Sequence, residues 1–394
     1  MGYRILVATG TSPAFRRYVR EHHPDWARYD YRRLRDAFLF ESFGWSDAYA
    51  LEFNRLGCEA ETLLVGVPEV QFRWAEEHGL KAVAREAQLL ERAHRAAERT
   101  GVGLSLIQQR QKQLLNEVFL AQARQFRPDI LLVQLQTPLA AGAIRAAREH
   151  CRLVIGQLAS RFPAYLDLFG VYDLILSAFP HYVRFFNDCG LRSAYLPLAF
   201  EPVFLERCRQ RYGEVTERTY GAVFIGSVSD MHVERLRWLA ALAESGLVEI
   251  WLSFDRGLEA NALPSVLRER AHPPAYGLAM YDIYRRARIG LNAHPEIAGP
   301  YAAILRLFEI TGSGCLLLTD DRANLADLFR PEHEVVTYRD VDECLMRLEY
   351  YLAHPDEAAA VARCGQERTH REHLFAHRAA RILELAQPLL AGDR

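Results

Sequence analysis

The chain has 394 residues, half of them hydrophobic and a quarter charged, with a formal net charge of −2. That length suffices for two domains of ordinary size, and the composition is globular rather than disordered. A near-neutral balance provides no field for nucleic acid, which argues against that partner.

The seven cysteines (Cys58, Cys151, Cys189, Cys208, Cys315, Cys344 and Cys364) are odd in number and contain no C-x-x-C pair. Neither a disulfide framework nor a zinc knuckle is expected, and a reducing compartment fits. The first residues run straight into the strand-like Tyr3-Arg4-Ile5-Leu6-Val7-Ala8 with no signal-peptide pattern. No apolar run approaches the ~20 residues of a membrane span. The expectation is a cytoplasmic protein, with a peripheral contact at the inner face of a membrane left open.

In chain order, short apolar runs fall at Ile5–Ala8, Thr62–Val65, Ile130–Gln134, Leu153–Gly156, Leu174–Ser177 and Ala194–Pro197. Helical patterns lie between them, including Arg32 to Leu56 and Lys81 to Phe126. A second series falls at Ala222–Ile225, Glu249–Ser253, Ile289–Asn292, Cys315–Thr319 and Glu334–Thr337. Strands that are nearly continuous in apolar residues and alternate with helices predict parallel sheets covered on both faces. Two such series predict an α/β protein of two doubly wound Rossmann-like domains. The first is expected over residues 1–200 and the second over 201–375. A last helix over 376–394 would return to the first domain.

Ligands of such sheets bind outside the carboxyl ends of the strands, which singles out three loops. Gly10, Thr11 and Ser12 follow the first strand. Gly226 and Ser227 follow the first strand of the second series, where the glycine opens space and the serine can donate to a phosphate. The third loop runs from Asn292 to Pro300 and holds His294, Glu296 and Gly299. Neither G-x-G-x-x-G nor G-x-x-x-x-G-K-[ST] occurs at these loops, which lowers the case for a dehydrogenase or an ATPase.

The third loop leads into the most informative segment. A helix opening at Gly299-Pro300 would present unpaired N–H groups and a positive dipole end to an anion. Arg306 offers a planar fork for phosphate oxygens. Glu309, three residues on, would lie beside it and could accept both hydroxyls of a ribose. An exposed Arg–Glu pair on an ordinary amphipathic helix is the plain alternative.

The segments F-I-G-S, I-Y-R-R-A-R-I-G-L-N and R-L-F-E-I-T-G-S-G-C-L-L-L-T-D-D, with the tail V-V-T-Y-R-D-V-D-E-C-L-M-R-L-E-Y-Y-L-A-H-P-D-E and its H-R-A-A-R-I-L segment, resemble the CgeB-type glycosyltransferases. These are a branch of the GT-B fold related to family 4 transferases, which use nucleotide sugars. The resemblance covers roughly residues 220 to 385. It implies two Rossmann-like domains facing across a cleft, with the nucleotide-sugar donor on the C-terminal domain and the acceptor on the N-terminal one. It implies that Glu309 binds the ribose, that Arg306 serves the diphosphate, and that Gly226 and Ser227 lie near the phosphates. Asn292, His294 and Gly299 complete the expected donor site. Many family 4 relatives carry a second glutamate upstream of the ribose one, facing the sugar. Tyr301 stands at that position here, which leaves the sugar contact open.

A transferase of this kind needs donors for the departing diphosphate, supplied without metal by helix ends, Arg306 and Ser227. It also needs a group to activate the acceptor, for which His181, His22, His23 and Asp167 are candidates and His181 is favoured. Asp320-Asp321 follows a strand and reads as a helix N-cap rather than a metal site. His370, His373 and His377 fall at i, i+3 and i+7, so one continuous helix would align them. Arginines at 16, 17, 20, 28, 32, 33 and 35 interleave with aromatic residues. They suit either an edge meeting anionic lipid or polyanionic glycan, or a solvated face with acidic partners.

The expected protein is therefore a metal-independent glycosyltransferase. It would move a sugar from a UDP, GDP or dTDP donor to a glycan, lipid-linked saccharide or protein acceptor, with retention implied by the resemblance. A sugar-nucleotide epimerase of the same fold and a non-catalytic sugar-nucleotide- or glycan-binding protein are the alternatives.

Overall fold

The computed structural model describes residues 2–100, 103–134, 137–159, 166–228, 233–254 and 263–392. It divides into two compact units. One comprises Met1–Ser177, His181–Leu196 and Ala379–Arg394; the other comprises Ala178–Pro180 and Pro197–Arg378.

The first unit holds strands β1 (Arg4–Thr9), β2 (Glu59–Leu64), β3 (Ile130–Gln134), β4 (Leu153–Leu158), β5 (Leu174–Ser177) and β6 (Ser193–Tyr195). They form one sheet in the order β2-β1-β3-β4-β5-β6, with every pair parallel. The second unit holds β7 (Tyr220–Val228), β8 (Val248–Phe254), β9 (Ala287–Asn292), β10 (Leu316–Asp320) and β11 (Val336–Tyr338). Its parallel sheet runs β11-β10-β9-β7-β8. Each of the eleven apolar runs is thus a strand. The central strands are buried on both faces, as at Ile5, Leu6 and Val7 or Ile130, Leu131 and Leu132, while the edge strands β6 and β8 are only partly buried.

Both sheets share one logic. The chain order reverses between β1 and β3 in the first unit and between β7 and β9 in the second. Such switch points are where doubly wound sheets take ligands. In the second unit Phe224, Leu252, Ile289, Leu291, Leu316 and Leu318 pack under Trp238, Leu239 and Leu242 of the helix Val233–Ser245.

Two long helices of the sequence reading are each interrupted. The segment from Arg32 to Leu56 is two helices, Tyr31–Phe40 and Ala48–Arg55. Between them Ser42, Gly44 and Ser46 take positive φ angles of 56°, 62° and 41°, and the Ser46 hydroxyl donates to the freed Leu39 carbonyl at 2.9 Å. A left-handed residue cannot continue a right-handed helix. The segment from Lys81 to Phe126 likewise forms Lys81–Thr100 and Leu104–Phe126, with Gly103 at φ 76°.

The early arginines follow the solvated-face alternative in part. Arg16 and Arg20 pair with Glu69, Arg28 with Asp25, and Arg35 with Asp36 and Glu61. The closing helix Phe375–Ala391 carries its last turns in the first unit, where Arg152 donates to the Leu390 carbonyl at 3.0 Å. Among the described residues no helix is long and apolar enough to cross a membrane.

Candidate functional site

The carboxyl ends of β7, β9 and β10 bring together most of the residues expected to hold a donor. Glycine at 226 shapes this corner. A Cβ there would meet Arg306 Nη2 at 2.9 Å and the Phe224 ring at the same distance. The absence of a side chain lets the Arg306 guanidinium lie over that ring, 5.2 Å from its centroid. Arg306 Nη1 donates to Asn292 Oδ1 at 3.1 Å. Asn292 is fully buried; its amide donates to Thr319 Oγ1 at 3.0 Å, and its carbonyl accepts from the Tyr338 hydroxyl at 2.7 Å.

Sequence reasoning missed a second guanidinium here. Arg235 is 7% exposed, and its bonds go only to backbone carbonyls: Ser227 O at 3.3 Å and Ala293 O at 2.8 Å. Its Nε is buried with no partner. Burial and the nearby Arg306 push it down to about 10, so it remains a cation at neutral pH. The cue in the sequence was an arginine in the first turn of the helix after F-I-G-S.

Glu309 is buried as well, 7% exposed, which removes the exposed-pair alternative. Burial raises its carboxyl to about 7, against the opposing pull of Arg306 and a hydrogen bond from Tyr281. Tyr281 and Tyr284 lie on the helix Gly277–Arg286, which precedes β9. Glycine sets the level of this layer too: a Cβ on Gly290 of β9 would lie 2.7 Å from Ile310, so the helix bearing Glu309 packs directly on the strand.

That helix does not begin where the sequence suggested. Glu296–Ala298 is a single 3-10 turn, Gly299 closes it at φ 57°, and the α-helix runs only from Arg306 to Gly312. The intervening backbone is committed elsewhere. The Gly299 carbonyl accepts from Arg322 Nη1 at 2.7 Å and the Pro300 carbonyl from Ala323 N at 2.8 Å; Ala302 N donates to Asn324 Oδ1 at 2.6 Å. A backbone already paired with the 322–324 loop has no reason to coil. The phosphate cradle expected at a helix start on Gly299-Pro300 is therefore absent, and anion binding falls to the side chains.

Asp320 is not a helix N-cap. It ends β10, and its carboxylate accepts from His294 Nδ1 at 2.6 Å, from His294 N at 3.1 and 3.2 Å, and from Arg322 Nε at 2.8 Å. Burial opposes ionisation, but His294 and Arg322 outweigh it and hold Asp320 at about 2. Burial lowers His294, so the ring is neutral. The helix that follows, Leu325–Leu328, has Asn324 at its N-cap position.

In the first unit, Gly10 and Thr11 leave β1 at the switch point, and Gly66 approaches Gly10 so closely that a Cβ would lie 3.0 Å from its Cα. The Thr11 hydroxyl is buried without a hydrogen-bond partner. Ser12 caps the helix Pro13–His22, accepting from Phe15 N at 3.1 Å. His181 lies in the first turn of Pro180–Asp188, its ring 4.5 Å from that of Tyr182, and burial lowers its pKa. It belongs to the first unit and Arg306 to the second. The side chain of Asp167 lies outside the described residues.

His370, His373 and His377 do not share a helical face, because the helix Pro355–Glu372 ends before His373. His370 and His373 face the carbonyls of Gly312 and Leu328, and His377 accepts from Leu374 N. Among the described residues no group of three or more His, Cys, Asp or Glu could hold a metal ion.

Comparison with known proteins places these features. Residues 235–384 match the family model described as glycosyl transferase-like. A glycosyltransferase from Rickettsia africae is similar over 99% of this chain and 99% of its own, at 9% identity and TM-score 0.54. Anabaena Alr3699/HepE in complex with UDP-glucose is similar over 98% of this chain and all of its own, at 10% identity and TM-score 0.53. Sucrose-phosphate synthase from Thermosynechococcus elongatus aligns with 72% of this chain and 79% of its own, at 13% identity and TM-score 0.50. No curated protein sequence matches. The two parallel-sheet, Rossmann-like domains are those of the GT-B fold.

Proposed function

We propose that this chain is a nucleotide-sugar glycosyltransferase of CgeB type whose donor binds at the β7/β9 switch point of the second unit. The observation that carries the reading is the pairing of two guanidinia, Arg235 and Arg306, with a buried carboxylate one helical turn from the second of them. Among the described residues the guanidinia make only backbone, amide and ring contacts. A diphosphate supplies the anion they lack. A ribose diol supplies two donors for Glu309. The glycosyl transferase-like match over 235–384 supports the same class.

The chemistry follows from charge. As the glycosidic bond to the donor breaks, the leaving diphosphate gains negative charge, and fixed guanidinia stabilise it without reorganising. The reading requires no metal, and retention of configuration is part of the proposal. The acceptor, a glycan, lipid-linked saccharide or protein, is assigned to the first unit, with Gly10, Thr11 and Ser12 as its loop and His181 as the group that activates it.

Calorimetric titration with UDP, GDP, dTDP and ADP tests the donor site. One of them should bind the wild type and bind at least tenfold more weakly to Arg306→Ala and to Glu309→Ala. Equal affinity in either variant refutes the site. Release of an epimerised sugar from the donor alone would favour the epimerase alternative.

A further inference from the structure

The His294–Asp320 pair has a feature that diphosphate binding does not use. The imidazole is held from two directions. Its Nδ1 lies 2.6 Å from Asp320 Oδ1, and its own backbone N–H also donates to that carboxylate. Arg322 anchors the carboxylate in turn. The side chain of His294 is fully buried.

The Asn292 amide also lies 3.4 Å from Nδ1, but the carboxylate at 2.6 Å is the shorter contact and only accepts hydrogen bonds, so Nδ1 carries the proton. The neutral ring then presents a lone pair at Nε2. That atom is buried with no hydrogen-bond partner. Three cations stand nearby, yet each points its donors elsewhere. Arg306 bonds Asn292, Arg322 bonds Asp320 and the Gly299 carbonyl, and Arg235 bonds the Ser227 and Ala293 carbonyls. A buried acceptor left unsatisfied costs the fold free energy.

The chemistry of Nε2 limits what can meet it. A phosphate oxygen is an acceptor and would be repelled. A metal cation would be repelled by Arg306 and Arg322, both close enough to act on the ring. A neutral O–H or N–H donor remains. With the ribose hydroxyls assigned to Glu309, the hydroxyls left on a nucleotide sugar are those of the transferred sugar.

We propose that His294 is a specificity residue that accepts a hydrogen bond from a hydroxyl of the donor sugar. This rests on the nucleotide-sugar reading above. Asp320 is a positioning residue that fixes the tautomer. Asp320→Asn conserves volume but can donate to Nδ1, which moves the ring proton to Nε2 and turns the acceptor into a donor. His294→Phe keeps the ring and removes the acceptor.

The test has two stages. Thermal shift with UDP, GDP, dTDP and ADP selects the nucleotide that binds; if none does, the donor-site reading fails and this inference falls with it. Calorimetry then compares that nucleoside diphosphate with its glucose, galactose and N-acetylglucosamine conjugates. For His294→Phe and Asp320→Asn, the bare nucleotide should bind within threefold of wild type. At least one sugar conjugate should lose about tenfold relative to it. In the wild type, the 15N resonance of His294 Nε2 should move on adding that conjugate and stay still with the bare nucleotide, a readout that needs no variant to fold. Unchanged ratios for all three sugars, or an Nε2 resonance that responds equally to the bare nucleotide or to neither, as for a bound water only, overturns the inference.

Discussion

The carboxyl of Glu309 offers the sharpest test, because its burial makes opposite predictions for the empty and the liganded protein. Its pKa is raised from 4.5 to about 7. The folded state therefore holds this proton more tightly than the unfolded chain does. Ionised Glu309 destabilises the fold fully above pH 7, and the penalty fades as pH falls from 7 toward 4.5. The difference is about 3 kcal/mol at most. Glu309→Gln removes the charge at nearly constant volume. Without ligand at pH 8 it should melt higher than wild type by a few degrees, on the scale of roughly 2–4 °C per kcal/mol for units of this size. Nucleotide binding should move the other way. A ribose diol needs the ionised form, so affinity scales with the ionised fraction, about one half at pH 7 and about one tenth at pH 6. Binding of a UDP-sugar, whose diphosphate diester does not titrate in this range, should weaken about tenfold from pH 8 to pH 6. The Gln variant should lose this dependence and bind about ten- to a hundredfold more weakly at pH 8, the worth of one charge-assisted hydrogen bond. Calorimetry and melting curves at pH 6, 7 and 8 measure both. A variant that is less stable without ligand, with unchanged affinity, would show that Glu309 is a structural carboxyl and refute the reasoning.

Three further substitutions separate site from scaffold. Arg235→Met keeps the buried stem and removes a cation that has no ion pair among the described residues; the lost bonds to the Ser227 and Ala293 carbonyls oppose the relief of that buried charge, so melting should move by no more than a few degrees, while nucleoside diphosphate affinity measured by calorimetry drops at least about tenfold. Gly226→Ala places a methyl 2.9 Å from Arg306 Nη2 and from the Phe224 ring. The guanidinium tip can swing away but the buried ring must give, so the same titration should show weakened binding at a stability cost of about 1 kcal/mol. Gly312→Ala drives a Cβ to 2.4 Å from the ring of Phe200. Here the loss should be stability, about 1–3 kcal/mol by urea titration.

The strands were legible because a strand buried on both faces is a nearly unbroken apolar run, a character most of the runs share; the edge strands β6 and β8 are only partly buried. The placement of Arg306 and Glu309 one turn apart beside a strand end was legible because it is local. What the sequence hid depends on partners far along the chain. Asn324, 22 residues beyond Ala302, holds the backbone that was expected to begin a helix. His294 finds Asp320, which a local reading takes for a helix cap, 26 residues away. Arg235 looks like one more arginine in a chain whose positive charge is nearly all arginine. Only its burial against the Ser227 and Ala293 carbonyls marks it out.

The arrangement of Arg306 and Glu309 argues for function over stability. At i and i+3 on one helix, an arginine and a glutamate are placed to form an ion pair. Here that pair does not form. The guanidinium is drawn to Asn292 and the Phe224 face, and the carboxylate to Tyr281. Had the fold used these residues to support itself, mutual pairing would have lowered the Glu309 pKa below the carboxylate range, as Arg322 and His294 do for Asp320. It stands instead near 7. Two opposite charges kept apart by neutral partners, each with capacity to spare, suit the proposed ligand, a nucleoside diphosphate, which carries both an anion and a diol.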